Sequence, residues 1–224
     1  MAAVSNDSLK WGFVDVEGAK KIALKFDEVG SFGENRAAFR AGRKWGFLDK
    51  YGIIVIQPKY EKVLSFTEGI AAAKLNGKWG FIDKNGRKII EFQYLESRPF
   101  SCGLAAVLTD GSGWIFVNKQ GIKAFNLPGC DKNRVYKFYT QPVENPLDKI
   151  AMHNRDLTME RLIFAENRMA YKAEDKFGYL DNFGKVAIPA TFVLAASFAE
   201  GCAVVCKTPG QFEYIDTSGN PKFP

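Results

Sequence analysis

The sequence predicts an all-β protein of six tandem units of about 34 residues. Each unit reads as a three-stranded antiparallel meander, and the array is propeller-like or a solenoid, with one partly helical insertion. Three observations carry this expectation. The string Lys78-Trp79-Gly80-Phe81-Ile82-Asp83-Lys84-Asn85-Gly86 recurs along the chain, as at Lys44 to Gly52 and Lys10 to Asp15. Its aromatic position returns at a fixed interval, through Trp11, Trp45, Trp79 and Trp114 and again at Phe177 and Phe212. The flanking stretches carry strand-like composition and are closed by Asn-Gly and Asp-x-x-Gly turns.

The third unit shows how each element is read. Ile70 to Leu75 is a first strand rich in Ala, which suits a crowded position. Asn76-Gly77 is a tight hairpin, because both central residues tolerate positive φ. Lys78 to Asp83 is the second strand, with Trp79, Phe81 and Asp83 on one face and Gly80 and Ile82 on the other. Gly80 marks the close approach of another backbone, expected from the neighbouring unit. Asp83 opens a type I turn that Gly86 closes in a left-handed conformation. Arg87 to Ile90 is the third strand. The connection from Pro58 to Gly69 spaces Tyr60, Val63 and Phe66 three apart, which suits a 3₁₀-like turn.

A single repeat domain over 1–224 follows, with units at about 2–34, 35–68, 69–102, 103–166, 167–200 and 201–224. The fourth unit carries an insertion at 130–161, where Asn145-Pro146 reads as a helix start. Neither end carries a polar cap, which fits either an array cut from a longer one or six units closed on themselves.

Apolar residues make up 46% and charged residues 25%, which is the balance of a soluble globular chain. The net charge of +6 permits an anionic partner, but Lys and Arg are spread through every repeat, as solvated faces would have them. No signal peptide or long apolar span is seen, which favours the cytoplasm. Four Cys (Cys102, Cys130, Cys202, Cys206) are too few for a disulfide scaffold, and Cys202 reads as a small buried hydrophobe.

Lys-Trp-Gly-Phe-Ile-Asp-Lys-x-Gly, followed by Ile-x-Pro-x-Tyr and Phe-x-Glu-Gly-x-Ala, resembles the WG-repeat family of bacterial proteins. The resemblance is closest over 35–106. Ile115 in place of Gly, and Phe177 and Phe212 in place of Trp, depart from the pattern. The resemblance implies a repeat scaffold used as an interaction module, and it implies no catalytic residues.

The chain offers little chemistry of its own. His153 is the single histidine, and no nucleophile motif accompanies it. Asp15, Asp49, Asp83, Asp181 and Asp216 recur at one position, but each opens a turn, where Asp accepts backbone hydrogen bonds. No phosphate-binding loop occurs. No catalytic, metal or cofactor residue is assigned. The expected function is a non-enzymatic scaffold for protein or peptide. The alternatives are a basic module for anions or nucleic acid, and an enzyme whose site is built by the insertion, around His153 with Asp148, Asp156 and Glu160.

Overall fold

The computed structural model describes residues 1–7, 9–126, 164–173 and 175–223. The insertion 130–161, with its expected helix and with His153, lies outside the described residues. Six antiparallel sheets of three or four strands follow one another, and no helix occurs among the described residues. The chain forms two compact units. One is Met1–Phe100 with Lys119–Gly121; the other is Ser101–Asn118 with Ile122–Pro224.

The first unit begins with a sheet of β1 (Ala2–Ser5), β2 (Trp11–Val14) and β3 (Lys20–Phe26). The second sheet holds β4 (Glu28–Gly33), β5 (Arg36–Ala41), β6 (Lys44–Asp49) and β7 (Ile54–Tyr60). The third holds β8 (Lys62–Val63), β9 (Ile70–Leu75), β10 (Lys78–Asp83) and β11 (Lys88–Tyr94), and a short β12 (Glu96–Ser97) follows. In the second unit, β13 (Leu104–Thr109), β14 (Gly113–Asn118) and β15 (Lys123–Asn126) pair in order. So do β16 (Arg168–Ala173), β17 (Lys176–Asp181) and β18 (Val186–Phe192). The short β19 (Leu194–Ala195) leads into β20 (Ala203–Thr208) and β21 (Gln211–Ile215).

The first two strands of the third repeat fall where the sequence puts them. The third is longer than expected, and the connector is not a 3₁₀ turn. It stays extended through Tyr94, and in the preceding repeat through Pro58 to Tyr60. Pairing explains the difference. Trp79 faces Tyr94 while Phe81 faces Ile90, so two extra residues of β11 bulge over Gly80. A Cβ on Gly80 would lie 2.8 Å from the Ile90 carbonyl oxygen and 2.9 Å from that of Glu91. The approaching backbone therefore belongs to the same sheet and not to the neighbouring unit. The bulge recurs opposite Gly12, Gly46 and Gly178. Where Ile115 replaces Gly, no bulge lies opposite it: Ile115 pairs with Asn126 and Phe116 with Phe125, and the register shifts only between Phe116 and Val117. Pro58 and Pro189 are tolerated because β7 and β18 are edge strands.

Successive sheets bury both faces of the strands between them. In the second sheet Leu48 packs with Phe13, Ile22 and Phe39, while Phe47 packs on the other side with Tyr60, Phe66 and Ile82. Edge-to-face aromatic pairs recur at equivalent junctions, with their rings offset as their quadrupoles prefer. These are Phe13–Phe32, Phe47–Phe66 and Phe81–Phe100 in the first unit, and Phe116–Phe164 and Tyr179–Phe198 in the second. Ala71, Ala72 and Ala73 are fully enclosed, which accounts for the Ala-rich first strand.

Candidate binding site at the hairpin end of the second and third sheets

In the second and third sheets both faces are covered, which leaves the strand ends for contact. At the end formed by the β5–β6 and β9–β10 hairpins, an open groove of about 450 Å³ lies between the second and third repeats. Trp45 and Trp79, Val63 and Leu64 supply its apolar lining, and Glu61, Lys62, Glu96, Ser97 and Arg98 its polar lining. The long third strand builds this place. By pairing Tyr60 with Trp45 and Tyr94 with Trp79, it delivers the short segments 61–64 and 96–98 beside the two rings.

The two tryptophans hold equivalent positions but differ in environment. Trp45 is half-buried and Trp79 is 4% exposed. The Trp79 indole N–H is enclosed and meets no acceptor among the described residues, a costly state for a buried donor. Glu61 is engaged by the fold, since Gly77 N–H donates to its Oε2 at 3.0 Å and Lys44 Nζ lies 4.0 Å from its Oε1. Arg98 donates from Nη1 to the Ser97 carbonyl at 3.0 Å, and Ser97 Oγ donates to the Arg98 carbonyl. Ser97 is buried where the equivalent residue is Val63, so a hydroxyl replaces an isopropyl group at the groove floor.

Each recurrent Asp accepts backbone N–H groups of its own turn, as Asp83 Oδ1 does from Asn85 and Arg87 at 2.9 and 2.8 Å. Asn118 does the same for Ile122. Cys202 is half-buried, with Sγ 3.4 Å from the Ala199 carbonyl, and not enclosed as expected; its turn lies at the exposed end of the first strand. Sequence reasoning missed every polar residue of the groove. The hairpin residues before each first strand were missed too. Glu34, Glu68, Cys102, Glu166 and Glu200 all have φ near +50°, a left-handed conformation that costs a non-glycine residue roughly 1–2 kcal/mol.

No helix among the described residues is long and apolar enough to cross a membrane. A search of curated proteins gives no match. Among solved structures, the computationally designed Ika8 protein is similar at 12% identity and TM-score 0.48, over 94% of this chain and 65% of its own. BamB from Moraxella catarrhalis is similar at 12% and 0.45, over 97% and 64%. PorZ of the Porphyromonas gingivalis type-IX secretion system is similar at 11% and 0.40, over 96% and 29%. The chain thus spans less than two thirds of the length of each. The family described as WG containing repeat matches residues 11–45, 45–79, 79–112 and 177–208, and the chain belongs to that family.

Proposed function

We propose that this chain is a non-enzymatic scaffold that binds protein or peptide, with the groove between Trp45 and Trp79 as a contact surface. The observation that carries the reading is the groove itself. It is open, its lining joins two indoles and two aliphatic side chains, and charged groups surround it. Such a mixture suits an extended segment that leaves one apolar side chain in the groove and its polar backbone at the rim. The repeat supports the same reading. Stacked sheets supply rigidity, and short connecting segments, here 61–64 and 96–98, supply the variable contacts.

Selection from a displayed library of random peptides, on the immobilised chain, tests this. Recovered peptides should share a motif and bind the parent at least tenfold more tightly than the Leu64→Ser variant, whose fold is checked by circular dichroism. Recovery of no common motif, or equal binding by Leu64→Ser, would contradict the proposal.

A further inference from the structure

We infer that the groove end of the second and third sheets recognises acidic peptide segments, with an apolar side chain between Trp45 and Trp79 and carboxylates on the surrounding bases. The inference rests on the peptide-binding reading above and adds the chemistry of the partner.

At the end with the Asp-x-x-Gly turns, Lys21 meets Asp15, Lys84 meets Glu34 and Lys119 meets Glu68, while Lys20, Lys50 and Arg87 have no carboxylate partner among the described residues. At the groove end the bases outnumber their partners. Arg43, Lys62, Lys74 and Lys78 have no carboxylate partner among the described residues, although they sit on the two hairpins and the segment that frame the groove. The acids there are already taken. Glu28 pairs with Arg40, Asp27 holds Lys10 and the Gly42 N–H, and Glu61 holds the Gly77 N–H. Glu96 is the one carboxylate left without such a tie among the described residues. Lys62 in the lining, with Arg43, Lys74 and Lys78 on the adjoining hairpins, raises the local concentration of anionic segments and steers their approach.

The same features favour peptide over nucleic acid. Base stacking needs an open ring face. Trp79 is enclosed and offers none, so two stacked bases have no pair of platforms here.

Fluorescence anisotropy with three labelled probes tests the inference: a 12-residue peptide of alternating Glu and Leu, the same peptide with Lys for every Glu, and a 12-nucleotide oligo-dT. The acidic peptide should bind at least tenfold more tightly than either other probe, and about tenfold more weakly at 300 mM than at 50 mM salt. Lys62→Glu and Lys78→Glu should each weaken it several-fold, while Lys20→Glu, at the other end of the first sheet, leaves it within twofold. Equal binding of the acidic and basic peptides, tighter binding of oligo-dT, no binding of the acidic peptide, or equal effects of Lys20→Glu and Lys62→Glu would each overturn the inference. Equal binding of both peptides would leave the peptide scaffold standing and remove only its preference for acids.

Discussion

Glu34 Oε2 lies 2.9 Å from Lys84 Nζ and accepts the Gly69 N–H at 2.9 Å, so one carboxylate on the second sheet grips two turns of the third. Glu68 meets Lys119 in the same way at 3.1 Å, and Glu166 accepts the Gly201 N–H in the second unit. These Glu residues share their left-handed backbone with Cys102 and Glu200 at the equivalent turns.

This latch makes stability sensitive to acid. The Lys84 ammonium is the main cause holding the Glu34 carboxyl below its ordinary value near 4.5; partial burial pushes the other way, and the Gly69 N–H adds to the lowering. A lowered carboxyl contributes stability that is present above the unfolded value and is lost as pH falls through the folded one. The loss in Tm on going from pH 7 to pH 3 should therefore be smaller in Glu34→Gln than in the parent, because the amide keeps an acceptor for Gly69 but has no charge to lose. Thermal melts at the two pH values check this; an unchanged loss would place the acid sensitivity elsewhere.

Trp79 separates size from polarity. Trp79→Ala should cost about 3–5 kcal/mol in a urea melt, as removal of a buried indole does. Trp79→Phe should cost under about 1.5 kcal/mol, because it also removes the unpartnered donor, worth about 1–3 kcal/mol. The equivalent residue in the fifth repeat is already Phe177.

Gly80 separates a close approach from mere glycine content. Gly80→Ala drives a Cβ to within 2.8 Å of the Ile90 carbonyl and should cost about 1–3 kcal/mol. Gly111→Ala, with nothing within 4 Å and no positive φ, should leave the urea midpoint within experimental error. Equal effects would mean that the bulge yields to a methyl group.

Ala72 is enclosed on a strand packed on both sides. Ala72→Leu should destabilise by about 1–3 kcal/mol through overpacking, whereas Ala41→Leu, at the exposed end of β5, should be neutral in the same melt.

The strands that pair through short turns were legible, because their signals are local. Ile70 to Leu75 and Lys78 to Asp83 are bounded by Asn76-Gly77 and Asp83 to Gly86, and the sheets keep those bounds. The end of the third strand was not legible, since the two-residue offset between Trp79–Tyr94 and Phe81–Ile90 depends on pairing across the sheet. The three-residue spacing of Tyr60, Val63 and Phe66 runs from the end of β7 through the short edge strand β8, and it imitates a 3₁₀ period. The Glu-Gly hairpins were hidden because Glu is no signal for positive φ, and the partners of its carboxylate lie a full repeat away, at Gly69 and Lys84. The groove was hidden for the same kind of reason. Its residues lie in two repeats, and equivalent tryptophans acquire different exposure only when the repeats pack.

The four tryptophan indole N–H groups give separate signals in a nitrogen-15 correlation spectrum, assignable one by one from Trp→Phe variants. Titrating the labelled chain with the alternating Glu-Leu peptide tests most directly that this scaffold binds through the groove between its second and third repeats. The Trp45 and Trp79 signals should shift together to saturation at one Kd, with Trp11 unmoved. Binding that shifts all four alike, or that moves Trp11 and leaves Trp45 and Trp79 in place, would contradict it.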